Sequence, residues 1–251
     1  MASLSIARVD RTHPRAWFRV ALIALGLIAL LPLHGLWRLF GAYSPWPTKF
    51  LQWAGKSAGA DVTVRGTPLK KNVLFIANHV SWLDILVLAG KSGSAFVARA
   101  DMAPWPVIGW MATLNNSVYV AREQRLDVGT QALAMKTALE TGQPLTLFPE
   151  GTTGNGRELL PFRSSLVASV APPPQGISIQ PVAIDYGPAA PEIAWIDDEP
   201  VGINALRVMS RPGRLAVTLH FMEPLDHADF ADRKAIAAHS RDAIAAVLFG
   251  G

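Results

Sequence analysis

The sequence predicts an α/β fold: a central, mostly buried sheet flanked by helices, preceded by an N-terminal helical membrane anchor. Three observations carry that expectation. Beyond residue 60, short apolar runs recur with little polar interruption, as strands buried on both faces require. Between them, apolar residues return at helical spacing. Ahead of both lies a long uncharged stretch introduced by arginines. With 251 residues, half of them apolar, the chain can bury one sizeable core, so a single main domain is expected.

Arg8, Arg11, Arg15 and Arg19 precede the uncharged run Val20 to Leu33, which continues through His34 and Trp37 until Arg38. A secretory signal would share the basic start, but the bulky residues from Leu33 to Arg38 offer no small-residue cleavage site. The strictly apolar run falls short of the ~20 residues of a full span, and Pro32 and Gly35 interrupt its far end. Trp37, Tyr43, Trp46 and Trp53, interleaved with Lys49 and Lys56, supply the aromatic and basic mixture of a headgroup interface. A single crossing that kept the arginines inside would put the rest of the chain outside. A re-entrant or monotopic anchor instead keeps it on the cytoplasmic face of a bacterial-type inner membrane. Residues 1–58 are therefore expected to form the membrane-associating segment and residues 59–251 the α/β domain.

Within that domain, strands are expected at Val73 to Ala77, Ala95 to Ala98, Val118 to Ala121, Leu145 to Phe148 and Val182 to Ile184. Val128, Ala132, Met135 and Leu139 mark a surface helix, with Asp127 as its N-cap and Gly142 and Pro144 as its stop. Ala171 to Gly176, with three consecutive prolines, reads as a loop. Asp229 with Asp232 resembles a capping box for a last helix carrying Ile236, Ile244 and Val247 and closing at Gly250.

Two segments carry chemistry. In Asn78 to Asp84, NHVSWLD, an imidazole is followed five residues on by a carboxylate, at the end of an expected strand where α/β sheets place their reactive groups. Ser81 with Asp84 also forms a capping box, so Asp84 has a purely local reading as well. Residues five apart on one helix diverge by about 140°, so His79 must lie in the turn before the helix if Asp84 is to reach it. Asp84 would then fix the tautomer through one ring nitrogen and leave the other to take a hydroxyl proton. In Phe148 to Thr153, FPEGTT, Gly151 permits an anion nest of backbone amides. Glu150 would repel phosphate unless it faces a hydroxyl or a cation, and Arg122, with Arg125 or Arg163, can supply bidentate phosphate contacts.

Other classes are excluded or lack support. The chain has no cysteine, hence no disulfide, thiolate metal site or Cys nucleophile. His13, His34, His220, His227 and His239 have no clustered partners, and no metal site is expected. Gly90-Lys91-Ser92 lacks the earlier glycine of a P-loop, since Ile85 stands there. No Gly-x-Ser-x-Gly elbow occurs. A net charge of +4 fits an anionic surface, but the arginines gather at the apolar anchor and no nucleic-acid motif appears.

In order and spacing, NHVSWLD, SVYVAR (Ser117 to Arg122), FPEGTT and IQPVAI (Ile179 to Ile184) resemble the four motif blocks of the glycerolipid acyltransferase family, which includes the 1-acylglycerol-3-phosphate acyltransferases. The resemblance covers roughly Asn72 to Tyr186. It implies that His79 is the general base and Asp84 its partner. It further implies that Arg122, Glu150, Gly151 and Thr152 bind the glycerol phosphate and that Pro181 lies near the acyl-binding region. Many members carry an acid before the arginine of the second block and an arginine after the threonine of the third, where this chain has Ala121 and Thr153. The continuation Gly154 to Leu166 is similar to the bacterial branch that includes lyso-ornithine lipid acyltransferases.

The expected reaction is direct attack of a lysolipid hydroxyl on the thioester of acyl-CoA or an acyl carrier protein, with no cofactor beyond that co-substrate. Amides near Gly151 or Ser81 are candidate oxyanion donors. The expected acceptor is 1-acyl-sn-glycerol-3-phosphate, giving phosphatidic acid, with lyso-ornithine lipid as the alternative. The partners are then the acceptor, the acyl donor and membrane lipid, without nucleic acid. A membrane-bound hydrolase and a non-catalytic lipid-binding protein are the rivals from other classes.

Overall fold

The structure, a computed structural model, describes residues 13–41, 44–100, 103–104, 108–120, 137–139, 141–168, 176–196, 199–226 and 232–250. Seven strands form one sheet: β1 (Ala60–Arg65), β2 (Val73–Ala77), β3 (Ala95–Arg99), β4 (Val118–Val120), β5 (Leu145–Leu147), β6 (Ser178–Asp185) and β7 (Leu215–Phe221). Their order is β1-β7-β6-β2-β5-β3-β4. All neighbours run parallel except β6 and β7.

β2 lies at the centre and shows why a continuous apolar run is needed there. Strand side chains alternate between faces. Val73, Phe75 and Ala77 enter one core, with α3 (Leu83–Ser92), while Leu74 and Ile76 enter a second, with Ile236 and Ala237 of the C-terminal helix. All five residues of the strand are buried, which is why it reads as an unbroken apolar run. β1 and β7 follow a different pattern and show no such run in the sequence. β7 alternates buried and less buried positions, and β1 is exposed along most of its length.

β6 runs from Ser178 to Asp185, well beyond the expected Val182 to Ile184, and it accommodates Pro181 in its interior. The Pro181 carbonyl accepts from Met222 N at 3.1 Å. The N–H and C=O of one strand residue face the same side, so the missing donor is lost on the β7 side, where pairing with β7 begins only at Val182.

The N-terminal helix α1 runs unbroken from Pro14 to Leu39, through Pro32 and Gly35, the two residues that interrupt the far end of its apolar run. Its most apolar stretch is only 6 % buried, the opposite of a soluble core helix, and by length and composition it could cross a membrane. Trp17, Phe18, Ile28, Leu36, Leu39 and Phe40 are exposed. α2 (Trp46–Ala58) folds back along it. There Trp53 Nε1 donates to Leu22 O at 2.9 Å and its indole lies over Gly26, where a Cβ would come within 2.3 Å of the ring.

The foot of α1 is tied to the α/β layers. Arg19 donates to Met209 O and Gly213 O at 3.0 and 2.8 Å, and Arg15 to Ser210 O at 3.0 Å. These guanidiniums cap the C-terminus of α5 (Val201–Ser210), where carbonyls lack intrahelical donors; here α4 is Ile108–Leu114 and α6 the C-terminal helix Arg233–Phe249. α2 delivers Phe50, Leu51, Ala54 and Ala58 into the same core as β2 and α3. Packing is therefore continuous across residue 58.

Asp232 caps α6, accepting from Lys234 N and Ala235 N at 2.6 and 2.9 Å. Ile236 and Ile244 are buried while Val247 is exposed. Asp229, Ala121 at the expected end of β4, the expected helix start and face at Asp127, Val128, Ala132 and Met135, and most of the loop Ala171 to Gly176 lie outside the described residues. Leu139 is described and fully buried.

Candidate active site

The site is built where β2 ends. Asn78 extends the sheet with its side chain: Oδ1 accepts from Ile184 N at 2.7 Å and Nδ2 donates to Ile184 O at 3.0 Å. The carboxamide thus imitates one more peptide of β2 against β6. That fixes where the chain leaves the strand, and His79 follows in the turn before α3, the strand, turn, helix arrangement expected from the spacing.

Asp84 serves both of its sequence readings with one oxygen. Oδ2 accepts from Val80 N and Ser81 N at 2.7 and 2.9 Å, closing the start of α3, and lies 2.8 Å from His79 Nδ1. A carboxylate only accepts, so Nδ1 carries the proton and Nε2 is left as the basic nitrogen. His79 keeps 16 % of its side-chain surface exposed, whereas Asp84 has none. Phe148 stacks on the imidazole at 4.1 Å and 9°, and Phe96 stacks on Phe148 at 5.7 Å. The ring is therefore held by an ion-pairing partner at one edge and by an aromatic plane at one face.

FPEGTT meets the histidine from β5. Glu150 is buried, and both of its oxygens are engaged by backbone: Oε1 accepts from His79 N at 2.7 Å and Oε2 from Leu160 N at 3.1 Å. Burial pushes its carboxyl up to about 7, against those two donors, which pull the other way. Gly154 N donates to His79 O at 2.7 Å, and a Cβ on Gly154 would press to 3.3 Å from Glu150 Oε2. The turn at Gly151, with φ +74°, closes through Gly151 N to Phe148 O at 3.1 Å. Thr152 is exposed, and the hydroxyl of Thr153 donates to Trp195 O. Trp195 N in turn donates to Val80 O at 2.9 Å, so this residue staples the two motif loops together.

The structure thus brings His79, Asp84 and Glu150 into one cluster with Gly151 on the adjoining turn. Arg122 and Arg125 lie outside the described residues, Arg163 is exposed, and Pro181 sits inside the sheet beside Ile76. Of the amides near Gly151 and Ser81, Ser81 N itself donates to Asp84 and Gly151 N to Phe148 O. Tyr186 and Trp195 were missed, because they reach the site from 102 and 115 residues beyond Asp84 and Val80 and carry no local motif. Gly154, in a Gly-x-Gly directly after the third block, was the one available signal of a close backbone approach.

Residues 61–185 match the model of the Acyltransferase family. The chain is 32 % identical over 247 residues to a lyso-ornithine lipid O-acyltransferase of Rhodobacter capsulatus, covering 92 % of this chain and 88 % of the relative. The chain belongs to the acyltransferase family. This acyltransferase is also 32 % identical to a 1-acyl-sn-glycerol-3-phosphate acyltransferase of Neisseria gonorrhoeae, over 70 % of this chain and 69 % of the relative. In fold it is similar to the crystal structure of the 1-acyl-sn-glycerophosphate acyltransferase of Thermotoga maritima, with a TM-score of 0.66 and 20 % identity over 93 % of this chain and 96 % of that one.

Proposed function

We propose that this acyltransferase moves a fatty acyl group from acyl-CoA or an acyl carrier protein to the free hydroxyl of a lysolipid, with His79 as the base. The observation that carries this reading is the 2.8 Å contact between His79 Nδ1 and the fully buried Asp84. Nε2 takes the hydroxyl proton as the oxygen attacks the thioester carbonyl. The C–O bond forms, the C–S bond breaks, and the proton passes from the imidazolium to the departing thiolate. The negative Asp84 stabilises that imidazolium while it exists.

For the acceptor, a lyso-ornithine lipid is favoured. The relative with that activity aligns over 92 % of the chain, and Thr153, where many family members carry an arginine, commits its hydroxyl to the Trp195 carbonyl. Both fit a headgroup without phosphate. The second reading, 1-acyl-sn-glycerol-3-phosphate giving phosphatidic acid, is supported by the four motif blocks and by the Neisseria relative. Residues 1–58 are assigned to membrane association and 59–251 to catalysis, on the cytoplasmic face of a bacterial inner membrane, where activated acyl groups are made.

The test is competition between the two acceptors in mixed micelles, with product lipids separated by mass. Lyso-ornithine lipid should win, and Arg122→Ala should leave its turnover unchanged while weakening 1-acyl-sn-glycerol-3-phosphate about ten- to a hundredfold. Preference for the phosphate acceptor would move the assignment to phosphatidic acid synthesis. Equal thioester cleavage with no acceptor present would make the protein a hydrolase.

A further inference from the structure

Tyr186 follows β6 directly, and β6 runs parallel to β2 at the centre of the sheet, so both strands deliver their next residues to the same end. The double contact of Asn78 with Ile184 locks that alignment two residues before Tyr186. As a result the Tyr186 side chain is almost wholly buried, and its hydroxyl donates to Asp84 Oδ1 at 2.5 Å. The other oxygen, Oδ2, already receives Val80 N, Ser81 N and His79 Nδ1. The two carboxylate oxygens are thus divided: one faces the histidine and the helix start, the other faces the phenol.

We infer that Tyr186 is a positioning residue for the acyl-transfer reaction, completing a His79–Asp84–Tyr186 chain that sets how strongly Asp84 holds and polarises the base. This rests on the proposed role of His79. The physical reason is the environment of Asp84. A buried carboxylate in a dry core stays ionised only where donors satisfy it, and four partners share that task here. Tyr186 is suited to be a permanent donor, since burial and the neighbouring Asp84 charge hold its hydroxyl well above its ordinary titration range. Short O–H···O⁻ contacts are also the strong class of hydrogen bond.

Without the phenol, the negative charge on Oδ1 loses its counter-dipole and Asp84 becomes the more basic partner. The imidazolium of His79 is then held more tightly. Nε2 is protonated up to a higher pH, and Asp84 itself takes a proton more readily. Both effects move the acidic limb of the rate profile the same way. Tyr186 touches neither substrate nor the reacting nitrogen, so the Michaelis constants have no reason to change.

The experiment compares wild type, Tyr186→Phe and His79→Ala in mixed micelles across pH 5 to 9, with folding followed by circular dichroism. Tyr186→Phe should leave both Michaelis constants unchanged and shift the acidic limb of kcat/KM upward by about one unit, so that the rate below the limb falls about tenfold while the plateau above it is kept. A folded Tyr186→Phe enzyme with the wild-type limb, beside an inactive His79→Ala, overturns the positioning role and leaves the base in place. An active His79→Ala overturns both. Should Tyr186→Phe fail to fold, fluorotyrosines placed at 186 keep the packing and change only the acidity of the phenol. The limb should then follow that acidity, and an invariant limb overturns the inference.

Discussion

Glu150 holds the backbone of the proposed base, so its own ionisation feeds directly into the geometry of the site. Burial raises its carboxyl from the ordinary 4.5 to about 7. Between those values the folded protein binds a proton that the unfolded chain does not, so this group's contribution to stability is full below about 4.5 and is lost as pH rises to about 7. Glu150→Gln cannot ionise. The difference in urea midpoint between wild type and this variant should therefore change steadily over that window and be flat above it. A constant difference from pH 4 to 8 would mean that Glu150 titrates normally. Activity should fall as well, because a carboxamide offers one acceptor oxygen where His79 N and Leu160 N now have two. His79 and Asp84 were legible in the sequence because five residues and one turn connect them. Tyr186 and Trp195 were not, since only the sheet brings them there. The role read for Glu150 from its charge also lacked a fact that sequence does not carry, namely that two backbone amides already occupy it.

Elements were legible where burial imposes one pattern. β2 is covered on both faces and shows an unbroken apolar run, whereas β7 alternates and β1 is an edge strand with a polar outer surface. Pro32 interrupts the apolar run but not the helix, which presents much of its surface outward there. Arg15 and Arg19 belong to the basic stretch that precedes the apolar run, and both guanidiniums reach back to the end of α5. The α1–α2 hairpin depends on one small residue. Gly26 lets the Trp53 indole lie against the α1 backbone, and a Cβ there would stand 2.3 Å from it. Gly26→Leu should force the helices apart and cost about 1–3 kcal/mol, the usual penalty of overpacking, while leaving membrane association intact because apolar surface is gained. Thermal unfolding in detergent, followed by tryptophan fluorescence, checks this. An unchanged midpoint would show that the helices are not held together at this contact.

At the scale of the whole molecule, the anchor and the catalytic layers are not interchangeable modules. α1 exposes most of its apolar surface, but α2 sends Phe50, Leu51, Ala54 and Ala58 into the main core. Removing residues 1–41 should therefore release the protein from carbonate-washed membranes while a cooperative, less stable fold survives in detergent. Removing residues 1–58 should abolish the cooperative transition, because burial of those four side chains is lost with α2. The proposed monotopic arrangement predicts sidedness. With the foot of α1 tied to α5 and α2 returning beside it, that arrangement has the exposed apolar end near Leu39 enter lipid and the α/β layers stay on the side from which it entered. The chain has no cysteine, so single introduced thiols report without background. Glu223→Cys, on the exposed surface after β7, should resist a membrane-impermeant maleimide in intact spheroplasts and react once they are opened. Leu39→Cys, at a position 81 % exposed in the protein, should stay poorly reactive in both conditions because lipid covers it. Labelling of Glu223→Cys from outside would place the catalytic layers on the wrong face for the supply of acyl thioester, and the monotopic arrangement would give way to a full crossing.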